Sequence, residues 1–274
     1  MITRIAGGTV VTMDENRRVL SPADVWIEDR QIVAVGEAPA LHADYTIDAS
    51  QTFVIPGLIQ PHVHLCQTLF RGLADDLELL DWLAQRIWPL EAAHDEQSLY
   101  VSALLGIAEL FQTGTTTILD MGTVHHTSAI FQALAETGIR AFAGKCIMDD
   151  ARDTPLHEET DAALQESADL LSRWHHYDQD RLQYAFAPRF TLSCTDEAYR
   201  MSDELAQSHH ALVHTHAAEN REEVARIRAS RNLSPIEHFD SLGILSPRLV
   251  MAHGIWLTEV EQHLVGQSRA RLVH

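Results

Sequence analysis

The sequence predicts an α/β protein: a (β/α)8 barrel of TIM type with strands one to about seven present, preceded by a small N-terminal β-sandwich module. Residues 1–52 consist of short apolar runs separated by turn residues. After Pro56-Gly57, short apolar strands alternate with amphipathic helical stretches, the pattern of a parallel sheet with right-handed crossovers. Histidines follow three of these strands, and the carboxyl ends of barrel strands carry catalytic residues.

The N-terminal module is predicted over residues 1–52. Its expected strands are 4–13, 23–27 and 30–36, and Asp29-Arg30 is a plausible hairpin turn between the last two. So few strands bury too little surface to be stable alone, so we expect the module to be partial.

The barrel is predicted over residues 53–274. Its expected strands are 53–59, 115–121, 139–147, 182–187, 211–216, 248–253 and 270–273. Its expected helices are 95–113, 127–137, 158–174 and 196–209. Seven strand starts in one run favour a barrel over a doubly wound sheet.

The eighth barrel strand is missing from this prediction, because the sequence ends in what resembles the seventh. We therefore expect a domain that is incomplete at its C-terminus, with unpaired strand edges and exposed apolar faces. The isolated polypeptide is expected to be insoluble or loosely folded, and inactive without the missing segment.

Composition and charge narrow the class of protein. Hydrophobic residues make up 46% and charged residues 22%, as in a soluble globular protein. The net charge of −19 argues against nucleic-acid and anionic-membrane partners. Three cysteines without a CxxC motif are typical of reduced thiols, and no stretch resembles a signal peptide or a membrane span. We therefore expect a cytoplasmic protein.

Histidines provide the main functional signal. His62 and His64 follow a β-branched run, and residues at i and i+2 of a strand point to the same side. A second pair, His214 and His216, ends another apolar run, and His253 ends a third. One such pair is weak evidence in a chain with 17 histidines, but repetition at strand ends indicates a metal-dependent hydrolase.

These segments together resemble the amidohydrolase superfamily, in its deaminase and triazine-hydrolase branch. The matching segments are PGLIQPHVH (56–64), QTLFRG (67–72), WL and WPLE (within 82–91), GTTT (114–117), PRF (188–190), HTHAAEN (214–220) and AH (252–253). The resemblance implies that His62, His64 and His216 hold one divalent metal ion, with zinc expected and iron as the alternative.

The resemblance also implies the catalytic roles. Glu219 is expected to protonate a ring nitrogen and then the leaving amine, and His253 to polarise the attacking water. The alternative for Glu219 is a solvated carboxylate at a helix start, favoured by the helix dipole. The family's metal-binding aspartate of strand eight lies beyond this sequence. Strand four lacks the lysine of members with two metal ions, which favours one ion.

Residues for substrate binding are predicted from two different resemblances. Gln67 and Arg189 match a glutamine and an arginine that grip the purine in guanine deaminases, whereas adenosine-type deaminases often have histidine in place of Arg189. Glu91 matches a glutamate that contacts ribose in 5′-deoxyadenosine and S-adenosylhomocysteine deaminases; its alternative role is helix capping. Trp82 and Trp88 either line the pocket or pack in the core, and packing is the default expectation.

The leading functional hypothesis is a hydrolytic deaminase of an aminopurine base or nucleoside, similar to the 5′-deoxyadenosine and S-adenosylhomocysteine deaminases. The alternatives are a guanine deaminase, an s-triazine hydrolase and an inactive fragment of such an enzyme. The expected partner is a small aminopurine or triazine, with no nucleic acid or membrane, and the full-length protein is expected to be a homo-oligomer.

Overall fold

The computed structural model describes residues 1–37, 39–74 and 76–274. The chain divides into two compact units, Met1–Leu58 and Ile59–His274.

The first unit contains one five-stranded mixed sheet. Its strands are β1 (Ile2–Val11), β2 (Val19–Glu28), β3 (Gln31–Gly36), β4 (Tyr45–Asp48) and β5 (Phe53–Val54). The order is β3-β2-β1-β4, with β5 also paired to β1. β2 is antiparallel to β1 and β3, whereas β4 and β5 run parallel to β1. Val10, Ala23 and Val25 form its small buried core.

The predicted first barrel strand, residues 53–59, is wrong. Phe53 and Val54 pair with Thr9 and Val10 in the N-terminal sheet. Proline lacks a backbone donor and glycine weakens a strand, so Pro56-Gly57 separates this pairing from the next strand. That next strand is β6 (Leu58–Val63), which contains His62.

The second unit contains the barrel sheet. Its further strands are β7 (Thr115–Asp120), β8 (Arg140–Ala143), β9 (Cys146–Ile147), β10 (Leu182–Pro188), β11 (Leu212–Ala217), β12 (Leu249–His253) and β13 (Arg271–Val273). The order is β6-β7-β8-β10-β11-β12-β13, with β9 paired to β10. The registers described from β7 to β13 are all parallel. The predicted TIM-type architecture is confirmed.

The predicted third strand, 139–147, is interrupted at Gly144. A Cβ atom on Gly144 would lie 1.8 Å from the carbonyl oxygen of Ala185, so the two backbones approach more closely than a side chain permits. The strand therefore divides into β8 and β9.

Helices connect the strands. They are α1 (Leu79–Trp82), α2 (Trp88–Ala92), α3 (Glu96–Gln112), α4 (Thr127–Thr137), α5 (Thr160–Trp174), α6 (Tyr177–Asp180), α7 (Asp196–His209), α8 (Arg221–Arg231), α9 (Pro235–Leu242) and α10 (Glu259–Ser268). A 3-10 helix covers Leu65–Phe70, and a π-helical segment, Leu83–Ile87, joins α1 to α2. The four predicted helices correspond to α3, α4, α5 and α7.

Helix ends and packing follow the sequence. Asp95 accepts a hydrogen bond from the backbone N–H of Ser98 at 2.7 Å, which caps the first turn of α3. Leu99, Ile107 and Phe131 are fully buried in the main core of this unit. Within the described ranges, no helix combines the length and apolarity needed to cross a membrane.

Candidate metal centre and catalytic pocket

Parallel strands bring the predicted histidines together at one end of the sheet. His62 lies in β6, and His64 directly precedes the 3-10 helix that follows this strand. His216 lies in β11 opposite Ala252, and the next pair in this register is Ala217 with His253, the last residue of β12. The carboxyl ends of these strands therefore form the centre, as the barrel architecture requires.

Three histidines present ligand atoms suited to one cation. The ligand nitrogens of His62, His64 and His216 all lie within 4.8 Å of one another. Nε2 of His64 is 3.1 Å from Nε2 of His216. Nδ1 of His216 lies 2.9 Å from the carbonyl oxygen of Arg189. A carbonyl only accepts, so Nδ1 carries the proton and Nε2 keeps its lone pair.

Burial keeps these imidazoles neutral. Desolvation, followed by the charges of His253 and Arg189, lowers the pKa of His62 to about 3. The same cause holds the pKa values of His64 and His216 well below their ordinary range. Metal ligation requires unprotonated imidazole, so the three residues fit a divalent ion.

A second group, His64, Cys66 and Glu91, also has ligand atoms within 4.8 Å of one another. Both carboxylate oxygens of Glu91 accept hydrogen bonds from Arg189. Burial, and then the nearby carboxylate of Glu91, raises the pKa of the Cys66 thiol well above its ordinary value, so this thiol stays protonated. This group is therefore a poor match for a cation.

Glu219 and His253 lie beside the three-histidine group. Oε1 of Glu219 is 3.5 Å from Nε2 of His253, and both side chains are about one quarter exposed, at 26% and 27%. Ala218 and His253 adopt left-handed backbone angles, with φ of +52° and +75°. Such angles are uncommon outside glycine and cluster at functional sites.

Glu223 positions the segment that carries Glu219. Its Oε2 atom accepts hydrogen bonds from the backbone N–H of Glu219 at 2.8 Å and of Asn220 at 3.2 Å. Burial, and then the charge of Glu223, raises the pKa of Glu219 to about 7. A carboxyl group titrating near neutrality can both give and take a proton at physiological pH.

A cavity of about 260 Å³ opens over this centre. It is lined by His62, His64, Gln67, Leu79, Trp82, Leu83, Arg189, Phe190, His216, Glu219 and His253. Trp82 therefore lines the pocket, contrary to the default expectation of core packing, whereas the Trp88 ring packs 6.5 Å from that of Phe190. Apolar walls with a few convergent polar groups are typical of small-molecule sites.

The three predicted substrate residues lie together, but only two of them line the cavity. Gln67 and Arg189 face it, whereas the side chain of Glu91 is 1% exposed. Nη1 and Nη2 of Arg189 donate to Glu91 at 2.6 and 3.1 Å. Nε2 of Gln67 donates to the same carboxylate at 2.8 Å. Ribose contact by Glu91 stays a prediction.

Two residues that support the centre were not assigned from the sequence. Nε2 of His214 is 3.0 Å from Nδ1 of His62. The signal for His214 in the sequence was its i, i+2 spacing from His216, which places both side chains on one face of the strand. Asp120 is fully buried at the end of β7, and it accepts hydrogen bonds from the backbone N–H of Leu65 at 2.8 Å and of Gly122 at 3.0 Å. In the sequence, the only sign that Asp120 belongs to the site was its position at the end of an apolar strand.

The fold is a parallel barrel of TIM type, with a cluster of histidines at the carboxyl ends of its strands. The family model of the amidohydrolase family matches residues 53–274, and the chain belongs to that family.

Individual relatives agree with this assignment. The chain is 34% identical to a 5′-deoxyadenosine deaminase from Methanothermobacter thermautotrophicus, over 91% of this chain and 57% of the relative. It is 33% identical to a 5-methylthioadenosine/S-adenosylhomocysteine deaminase from Syntrophobacter fumaroxidans, over 98% and 61%. The chain thus spans about three fifths of the length of these curated relatives.

Solved structures show the same fold. A zinc-bound adenosine deaminase from Xanthomonas campestris is 30% identical, with a TM-score of 0.89 over 99% of this chain and 62% of that chain. A zinc-bound atrazine chlorohydrolase from Arthrobacter aurescens TC1 is 22% identical, with a TM-score of 0.90 over 99% and 65%, a likeness that concerns the fold alone.

Proposed function

We propose that the protein is a metal-dependent hydrolytic deaminase of an aminopurine base or nucleoside, similar to 5′-deoxyadenosine and S-adenosylhomocysteine deaminases, and that it releases ammonia. The observation that carries the proposal is the convergence of His62, His64, His216, Glu219 and His253 on one cavity. Relatives named as deaminases of 5′-deoxyadenosine and 5-methylthioadenosine/S-adenosylhomocysteine support the substrate class.

His62, His64 and His216 would hold one divalent ion, which we propose to be zinc, as in the structure from Xanthomonas campestris. Such an ion lowers the pKa of bound water toward neutrality and so supplies a nucleophile at physiological pH. Three neutral imidazoles leave the ion its positive charge, and they match the nitrogen ligands that zinc prefers.

Glu219 and His253 would carry the proton chemistry. The Glu219 carboxyl group would donate a proton to the ring nitrogen next to the attacked carbon. The resulting carboxylate would then take the proton of the hydroxyl group formed at that carbon and pass it to the departing amine. His253, 3.5 Å from Glu219, hydrogen-bonds the oxygen that adds to the ring and stabilises the charge that develops there. Leu79, Leu83 and Phe190 line the cavity and would limit the access of bulk water to a bound ring.

A second candidate, guanine deaminase, is favoured by one observation: Gln67 and Arg189 both line the cavity, and both donate hydrogen bonds to Glu91. Their donors and acceptors suit the polar edge of an oxopurine.

The test is ammonia release by the zinc-loaded product of the complete gene. The panel contains 5′-deoxyadenosine, S-adenosylhomocysteine, adenosine and guanine, with chloride release from atrazine assayed in parallel. We expect ammonia from at least one purine. Chloride release without ammonia from any purine would refute the proposal in favour of a triazine hydrolase, and no activity on any compound would also refute it.

The cytoplasmic location, the homo-oligomeric state and the absence of nucleic-acid and membrane partners stay predictions.

A further inference from the structure

His214 is a buried histidine that has no role in the proposed reaction. It lies in β11 two residues before His216, and it is fully buried. Burying a polar ring costs free energy unless the ring is hydrogen-bonded. Nε2 of His214 lies 3.0 Å from Nδ1 of His62, whereas Nδ1 of His214 has no partner among the described residues. The polar contact of this side chain is therefore with a proposed metal ligand.

This contact determines which nitrogen of His62 is free to bind an ion. Each neutral imidazole carries one N–H donor and one bare acceptor nitrogen. If Nδ1–H of His62 donates to His214, Nε2 of His62 keeps its lone pair and can bind a cation. If His214 donates instead, the proton of His62 lies on Nε2 and blocks that atom. Only the first arrangement is compatible with metal binding.

The same contact fixes the rotation of the His62 ring. The ring lies edge to face against His64 and His216, with interplanar angles of 86° and 88°, and against His214 at 81°. Rotation of a histidine ring about its Cβ–Cγ bond meets only broad energy wells. A ring released from His214 would therefore turn Nε2 away from the ligand nitrogens of the other two histidines.

We propose that His214 is a positioning residue: its Nε2 atom accepts a hydrogen bond from Nδ1–H of His62 and so fixes the tautomer and the orientation in which His62 binds the metal ion. This inference rests on the proposed function and adds one residue to its metal site. The described residues that line the cavity do not include His214, so it acts through His62. Partners that orient a metal-binding histidine typically contribute about 10–100-fold to metal affinity.

Two substitutions separate this hydrogen bond from packing. The amide oxygen of a glutamine is as many bonds from Cα as Nε2 of a histidine, so His214→Gln keeps an acceptor for His62. His214→Phe fills the space with a ring that has no acceptor. His238→Phe is the matched control, because His238 is 2% exposed and lies in α9, outside the metal group. Its Nε2 atom is 2.9 Å from Asp196, and its Nδ1 atom has no partner within the described ranges.

The experiment measures zinc affinity in the product of the complete gene, by competition with a chelator of known affinity. The absorption spectrum of the cobalt(II)-loaded protein reports the geometry around the ion. We expect His214→Phe to weaken zinc binding by about 10–100-fold and to change the cobalt spectrum. His214→Gln should lose less than about tenfold and keep the spectrum of the wild type. His238→Phe should lower the free energy of unfolding without changing either metal measurement.

His214→Asn provides a second comparison if His214→Phe fails to fold. The shorter amide reaches only as far as Nδ1 of a histidine, so this variant should bind zinc less tightly than His214→Gln. Wild-type affinity in His214→Phe, equal losses in the glutamine variant and in either other variant, or a wild type that binds no zinc would overturn the inference. These measurements need no turnover, so a protein that shows the expected pattern but releases no ammonia would refute the deaminase proposal alone.

Discussion

Replacing Glu219 with glutamine isolates the proposed proton transfer. Glutamine keeps the shape and the hydrogen-bonding reach of the side chain, but it has no transferable proton. We expect the turnover of the zinc-loaded enzyme to fall by about 10²–10⁴-fold, the usual contribution of a general acid or base. At about 1.4 kcal/mol per decade, this equals about 3–5 kcal/mol of activation free energy. Zinc should be retained, because the three histidine ligands are unchanged.

The raised pKa of Glu219 also predicts how the same substitution changes the free energy of unfolding. Its value rises from 4.5 to about 7 on folding, mainly through burial. The native state therefore binds the proton more tightly than the unfolded state. The resulting stability is complete below pH 4.5 and is lost as the pH rises through 7. The difference of about 2.5 pH units corresponds to about 3 kcal/mol, which partial exposure reduces.

The assays are ammonia release, zinc content, and urea unfolding of the metal-free protein between pH 4 and 8. The wild type should lose stability relative to Glu219→Gln as the pH rises through this interval. Turnover close to that of the wild type would show that Glu219 is structural. Loss of zinc in the variant would show that it is a metal ligand, and a stability difference independent of pH would contradict its raised pKa.

Two further predictions follow from buried charges. Glu223→Gln removes a negative charge next to Glu219, so the pKa of Glu219 should fall. The loss of activity at alkaline pH should then begin at a lower pH. A pH–rate profile that stays in place or shifts to higher pH would contradict this prediction. Lys145 is fully buried, its ammonium group lies 2.8 Å from Glu158 and 3.0 Å from Glu166, and it also donates to the carbonyl oxygen of Val124. Lys145→Met should therefore lower the free energy of unfolding, measured with urea, by about 3 kcal/mol or more. The Glu166 side chain is 45% exposed, so Glu166→Gln should lower it by only about 1 kcal/mol or less. Equal losses in the two variants would contradict the difference in burial.

Sequence patterns predicted the elements of the barrel well, because alternation of strands and helices is a local signal. The strand that carries His62 was misplaced for a non-local reason. Phe53-Val54 is apolar enough for either sheet, and its pairing with Thr9-Val10 lies more than 40 residues away in the chain. Residue periodicity cannot identify a pairing partner at that distance.

The candidate site also has a part that the sequence predicted and a part that it did not. The i, i+2 spacing predicted a shared face for each of two histidine pairs, because a strand places such residues on the same side. These pairs are His62 with His64 and His214 with His216. The role of Glu91 depends on a contact with Arg189, 98 residues away, which no local pattern reveals. The sequence suggested two roles for its carboxylate, ribose contact or helix capping. The ion pair with Arg189 was not expected, and ribose contact stays a prediction.

The central claim is that His62, His64 and His216 bind one catalytic metal ion. The most direct measurement is the metal content of the product of the complete gene, by mass spectrometry, before and after His216→Ala. His209→Ala is the control, since His209 ends α7 outside the group. The account predicts one zinc per chain in the wild type and the control, and none in His216→Ala. Two ions per chain, or a full zinc content without His216, would contradict it.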